Sequence, residues 1–152
     1  MIPISMAYPA PALQNAVDNN VRPPESDMVK YGEYLSTVAD CATCHTPFVK
    51  GQLDFSRAYA GGNTFNLGEC RVNSANITSD SATGLGTWTE ERFMNKFTVY
   101  RDEKAYNFNP GKQNTVMPLS DYAGMTDYDL KAIYAYMRTV KAVSNQVEKF
   151  PK

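Results

Sequence analysis

Three stretches of the chain place apolar side chains at helical spacing, and polar or turn-rich segments separate them. In the first, Tyr31, Tyr34, Leu35 and Val38 share one face. Ser26 is positioned to cap this helix, with Asp27 as its first residue at the positive end of the dipole. The spacing predicts a helix that runs straight into Cys41. A second stripe, Phe93, Met94, Phe97 and Tyr100, follows a capping box read at Thr87 and Glu90. The third stripe is the strongest: Leu130, Ile133, Tyr134, Met137 and Val140 follow Thr126, and Ala132, Ala135 and Arg138 add helix propensity. Six of the nine glycines, from Gly51 to Gly86, fall between residues 46 and 86, which predicts loop with little regular structure. Residues 101–116 are also turn-rich, contain Asn109-Pro110-Gly111, and lead to Val116-Met117-Pro118. The expectation is an all-α domain of about three main helices with long connecting loops.

Residues 1–26 show neither period. They are rich in Pro, Asn and Ala and end in Arg22-Pro23-Pro24-Glu25-Ser26, so they read as an N-terminal extension to a domain over 27–152. This arm is a candidate docking element for a partner. No internal repeat is present, and no run approaches the roughly 18 apolar residues of a membrane-spanning helix.

Composition narrows the chemistry. At 152 residues the chain is one domain's worth, and 43% hydrophobic with 20% charged residues excludes a wholly disordered polymer. Fifteen basic side chains nearly cancel sixteen acidic ones without a basic stripe, which gives a nucleic-acid partner no electrostatic support. The scarce residues say more. There are three cysteines, Cys41, Cys44 and Cys70, and one histidine, His45, so any chemistry needing two histidines from this chain is excluded.

Cys41-Ala42-Thr43-Cys44-His45 has the C-x-x-C-H spacing of covalent c-type haem attachment. Cysteines at i and i+3 project from one side of a helical turn, where both can form thioethers with the vinyl groups of one haem, and the adjacent imidazole can reach the iron. A thioredoxin-like dithiol expects a βαβ pattern that is missing here. A zinc site would need Cys44 and its neighbour His45 on one tetrahedral ion, and the chain has no second paired knuckle. Haem c is therefore the cofactor expected.

With one histidine, the second axial ligand of such a haem cannot be a histidine of this chain. Met94 and Met137 lie on helical core faces, where a methionine fills space. Met117 and Met125 are the loop candidates. Pro118 biases Met117 towards an extended conformation suited to presenting its side chain, which favours Met117; Met125 and an open site are the alternatives. A soft thioether favours Fe(II), raises the potential relative to bis-histidine ligation, and occupies the position a substrate would need.

The chain resembles the class I cytochromes c, in particular the haem domains of cytochrome subunits serving bacterial membrane-bound alcohol and sugar-acid dehydrogenases. The resemblance covers about residues 27–145 and rests on Tyr31-Gly32-Glu33-Tyr34-Leu35, the Cys41–His45 motif, Ala60-Gly61-Gly62, Asn76-Ile77-Thr78-Ser79-Asp80, Thr83-Gly84-Leu85-Gly86 with Trp88, Met117-Pro118, and Met125-Thr126-Asp127. It implies crossing first and last helices, with Gly32 against Tyr134 or Tyr136, and Asn76 to Thr78 with Trp88 lining the propionate side of the haem. Trp88 also suits a plain core position, and Arg101 suits either a propionate or solvent. Only one C-x-x-C-H is present, whereas such relatives commonly carry several. Cys70, left without an internal partner, reads as a buried free thiol or a site of intermolecular linkage.

These readings lead to electron transfer through one His45/Met117-ligated haem c. The chain would act as a carrier or as a haem subunit of an oxidoreductase or respiratory chain, exchanging electrons with a dehydrogenase, an oxidase or another cytochrome, and would not itself be an enzyme. The alternative is a haem enzyme or gas sensor with an exchangeable sixth ligand. Covalent attachment implies maturation outside the cytoplasm, so a periplasmic or otherwise exported location is expected. Residues 1–13 make a poor secretory signal because three prolines interrupt them, and the signal is expected to be missing from this sequence.

Overall fold

In the computed structural model, residues 22–68, 70–107 and 109–151 are described. The arm over residues 1–26 therefore lies outside the described residues, except for Arg22 to Ser26. Helix α1 spans Met28–Val38 and is capped by Asp27, whose carboxylate accepts from the Lys30 amide at 3.2 Å; the cap is thus one residue later than Ser26. Tyr31, Gly32 and Ser36 are buried, whereas Val38, expected on the same face, is exposed at the helix end. The helix does not run into Cys41. Asp40 takes a left-handed conformation, φ 54°, which stops α1 and lets a separate turn, α2 (Cys41–His45), start in a new direction.

The glycine-rich stretch is mostly loop, with two small antiparallel hairpins set into it. In the first, β1 (Phe48–Val49) pairs with β2 (Gln52–Leu53) around Lys50 and Gly51, both at positive φ, as a two-residue hairpin turn of the primed type requires. In the second, β3 (Thr64–Asn66) pairs with β4 (Arg71–Asn73), Phe65 opposite Val72. Strands of two or three residues are too short to show a period of two in the sequence.

Helix α3 spans Glu90–Thr98. Its cap is Thr89, which accepts from the Arg92 amide at 3.1 Å, and not Thr87; a turn from the Trp88 amide to the Leu85 carbonyl keeps Thr87 outside the helix. Short helices α4 (Glu103–Tyr106) and α5 (Leu119–Ala123) follow, and α6 spans Asp127–Thr139. In α6 the Thr126 and Asp129 side chains cap each other's backbone amides in a full capping box. Six α-helices are thus present among the described residues, and the three longest are those the apolar stripes predict.

The core is assembled from Phe93 and Phe97 of α3, Leu119 of α5, and Leu130, Ile133 and Met137 of α6, joined by Tyr59 and Leu85 from the loops. Helix α1 crosses α6 at Gly32, where a Cβ would lie 1.9 Å from the Ala132 carbonyl oxygen and 3.0 Å from Tyr136 Cβ. Tyr136, not Tyr134, is therefore the aromatic at the crossing, and the tightest constraint is backbone. Tyr134 turns the other way and donates to the Trp88 carbonyl at 2.8 Å.

After α6 the chain forms a strap, residues 140–151, that runs back over the loops. Ser79 donates to the Val140 carbonyl at 2.6 Å, Asn76 to that of Val143 at 2.8 Å, and Asn145 to that of Ala60 at 2.8 Å. The buried Asn76 amide also donates to Thr83 Oγ1 and accepts from the Thr78 amide and hydroxyl, which ties the strap to the 76–83 loop.

Candidate functional site

Cys41, Cys44 and His45 line one cavity of about 490 Å³, and Met117 and Met125 line it too. That volume lies within the roughly 300–1,000 Å³ of sites that take cofactor-sized ligands. The walls are largely the core itself: Phe93 and Phe97, Leu130, Ile133 and Met137. A core built around a space of this size would lose much dispersion contact if nothing filled it.

The Asp40 break places the cysteines. Because α2 restarts after the left-handed residue, Cys41 and Cys44 sit one helical turn apart and both meet the cavity. Neither is in a disulfide. Burial pushes the Cys41 thiol up to about 11, with Asp40 adding to the shift, and burial raises Cys44 in the same direction. Neither is the depressed-pKa thiolate that a redox dithiol uses.

The buried His45 ring is oriented from behind. Its Nδ1 lies 2.7 Å from the Ala75 carbonyl oxygen, an atom that can only accept, so Nδ1 carries the proton and Nε2 keeps the lone pair. Such a bond fixes tautomer and ring orientation in metal-ligating histidines. Burial holds the imidazole pKa below its ordinary value, which favours this neutral, ligating form. Gly61 makes the arrangement possible: its amide donates to the His45 carbonyl at 2.6 Å, its φ is 70°, and a Cβ there would lie 2.4 Å from the Ala75 carbonyl.

Met117 is presented by a tight turn. Pro118, at φ −78° and ψ 65°, centres an inverse γ-turn in which the Leu119 amide donates to the Met117 carbonyl at 2.8 Å. Helix α5 starts at once after it, so the methionine is held at the junction of a rigid turn and a helix.

Two cysteines, a histidine with a free Nε2 and a thioether around one apolar cavity match the donor set of a covalently held haem. The cytochrome c family model matches residues 29–141, three quarters of the chain. The chain belongs to the cytochrome c family. It is 34% identical over 113 residues to the gluconate 2-dehydrogenase cytochrome c subunit of Pantoea cypripedii, covering 72% of this chain and 22% of the relative. It is 32% identical over 120 residues to an alcohol dehydrogenase (quinone) cytochrome c subunit of Gluconobacter oxydans (78% and 23%). It is also 32% identical over 111 residues to the fructose dehydrogenase cytochrome subunit of Gluconobacter japonicus (73% and 21%). The chain thus spans between a fifth and a quarter of the length of these curated relatives.

As a cytochrome c, the domain carries haem c covalently and belongs to electron transport. Asn76 and Trp88 both border the cavity. The polar atoms of Asn76 are engaged within the protein, so it shapes the wall through the loop it holds. Trp88 is half-buried, with the Arg92 guanidinium 4.2 Å from its ring centre. Arg101 does not line the cavity and is exposed, as its solvent reading has it; it donates to the Ala123 and Met125 carbonyls at 2.8 and 2.7 Å and pairs with Asp127 at 2.7 Å, which clamps the α5–α6 junction. Cys70 lies in the β3–β4 connection, outside the cavity lining, and is a partly exposed rather than a buried thiol. Sequence reasoning missed Ala75, because its contribution is a backbone carbonyl, and it missed the strap residues Gln146 and Lys149 that reach the cavity.

Proposed function

We propose that this domain transfers electrons through one haem c, which thioethers to Cys41 and Cys44 would attach and His45 Nε2 and Met117 Sδ would ligate. The observation that carries this reading is the His45–Ala75 hydrogen bond, at 2.7 Å, in a cavity that Met117 also lines. The bound group supplies a one-electron iron couple. The chain's own residues would attach it through Cys41 and Cys44, exclude water with the Phe93, Phe97 and Leu130 wall, fix the histidine tautomer, and offer the Met117 thioether as the second ligand. Met117 is preferred to Met125 because its γ-turn holds it in place, while the Met125 carbonyl is clamped by Arg101 at the start of α6.

The domain serves as a haem subunit or carrier in an exported oxidoreductase system, with a dehydrogenase as electron donor and another cytochrome or an oxidase as acceptor. The names of the relatives, all cytochrome subunits of dehydrogenases, support this reading. No helix of the described residues is long and apolar enough to cross a membrane. Replacing Met117 and Met125 separately by alanine tests the ligation. Met117→Ala opens the sixth position to carbon monoxide and lowers the potential, while Met125→Ala leaves both unchanged; the reverse pattern moves the ligand to Met125.

A further inference from the structure

Three cations at the rim of the cavity have no part in the ligation described above. Arg92 and Lys96 lie four residues apart on α3, hence on one face, and both line the cavity. Lys149 lines it from the strap, beyond the residues 29–141 that match the family. Its ammonium lies 4.8 Å from the Phe150 ring centre, and its backbone is tied to β4. Asn73, at the end of β4, donates from its amide N–H to the Lys149 carbonyl at 2.8 Å and from Nδ2 to the Glu148 carbonyl at 2.8 Å. Thr64 fixes the orientation of that side chain by donating to Asn73 Oδ1 at 2.7 Å.

Charge makes this rim incomplete. Among the described residues, no salt bridge includes Arg92, Lys96 or Lys149, and the one acid lining the cavity is Asp40, beside the cysteines. Partial burial and the neighbouring charge of Lys96 hold Lys149 below the ordinary lysine value. Arg92 is oriented by the Trp88 ring beneath it. Like charges converging on an apolar cavity repel one another unless an anion lies among them.

We propose that Arg92, Lys96 and Lys149 form the seat for the two propionate carboxylates of the haem, and that Lys149 is a positioning residue through which the strap tunes the reduction potential. This rests on the proposed haem-carrying function and adds to it a role for a segment beyond the family match. Loss of a cation from the seat destabilises the reduced state, which carries one positive charge fewer at the iron, so the potential falls.

The test measures the reduction potential and optical spectra of the holoprotein for Lys149→Gln, Lys149→Glu, Lys149→Arg and Lys96→Gln. The proposal expects a potential below wild type for Lys149→Gln and Lys96→Gln, a larger fall for Lys149→Glu, and a value near wild type for Lys149→Arg, with the ligation spectrum unchanged throughout. An unchanged potential in Lys149→Gln overturns it. Equal falls in Lys149→Gln and Lys149→Arg also overturn it, because they would trace the effect to strap packing and not to charge. Failure of the underlying reading looks different: wild type itself would lack covalent haem or bind carbon monoxide readily, whatever residue stands at 149.

Discussion

Gly32 and Ala132 fix the crossing of α1 and α6: a Cβ at Gly32 would come within 1.9 Å of the Ala132 carbonyl oxygen. The obstacle is backbone, so no change of rotamer relieves it. Gly32→Ala should therefore destabilise the domain by about 3 kcal/mol, at the upper end of overpacking penalties, despite the better helix propensity of alanine. Denaturant unfolding of the holoprotein checks this, and an unchanged midpoint would show that the helices separate freely.

The same crossing carries a polar lock. Tyr31 donates to Asp129 at 2.7 Å and receives from Arg22 at 2.7 Å. Burial works to raise the Asp129 pKa, but donation from Tyr31 and Thr126, with the charge of Arg22, outweighs it and leaves the carboxyl below its usual range. A carboxylate whose folded pKa lies below its unfolded value of about 3.9 contributes stability above that pH, and the contribution is lost as pH falls through the folded pKa. Tyr31→Phe should cost about 1 kcal/mol at neutral pH and less in acid. Unfolding midpoints between pH 7 and the acid limb test this; an equal cost at both ends would contradict it.

Asn76 is the knot between loop and strap. Asn76→Ala leaves the buried Thr78 amide without its acceptor and strips the Val143 carbonyl of its shorter bond, leaving only the 3.3 Å contact from the Thr78 hydroxyl, at a cost of about 1–3 kcal/mol. The strap should then open locally, and hydrogen exchange at the Val143 and Asn145 amides should rise before that of α6. Uniform exchange across both would show that the strap has no independent opening.

The legible parts of this fold are those where one helix face is buried. Stripes such as Leu130, Ile133 and Met137 predict the three long helices, and the Cys41–His45 spacing predicts the cofactor. Boundaries shift by a residue or two because Asp27 and Thr89 compete successfully with Ser26 and Thr87 for the free amides. The break at Asp40 is invisible in a pattern, since it is a backbone conformation of a single residue. The strap has no period and is held by Asn73, Asn76, Thr78 and Thr83, side chains more than 60 positions away, so nothing local announces it. Arg101, read as either a propionate partner or solvated, is exposed, but what its pattern could not announce is that the carbonyls of the α5–α6 junction and the Asp127 carboxylate take its donors.

Removing both anchors should expose how far the cofactor supports the fold. The Cys41→Ala, Cys44→Ala double variant is expected to lose covalently attached haem, seen by mass and by the haemochrome spectrum after denaturation. Without haem in the cavity of about 490 Å³, it should unfold at a clearly lower denaturant concentration than the holoprotein. Haem retained through denaturation would place the attachment elsewhere.

Optical spectra of the native holoprotein in both oxidation states, with carbon monoxide added to the reduced form, test the His45/Met117 ligation most directly. The account predicts a six-coordinate, low-spin centre in both states, little carbon monoxide binding by wild type, and rapid stoichiometric binding by Met117→Ala at a lower potential. Rapid stoichiometric binding by the wild-type protein would contradict it.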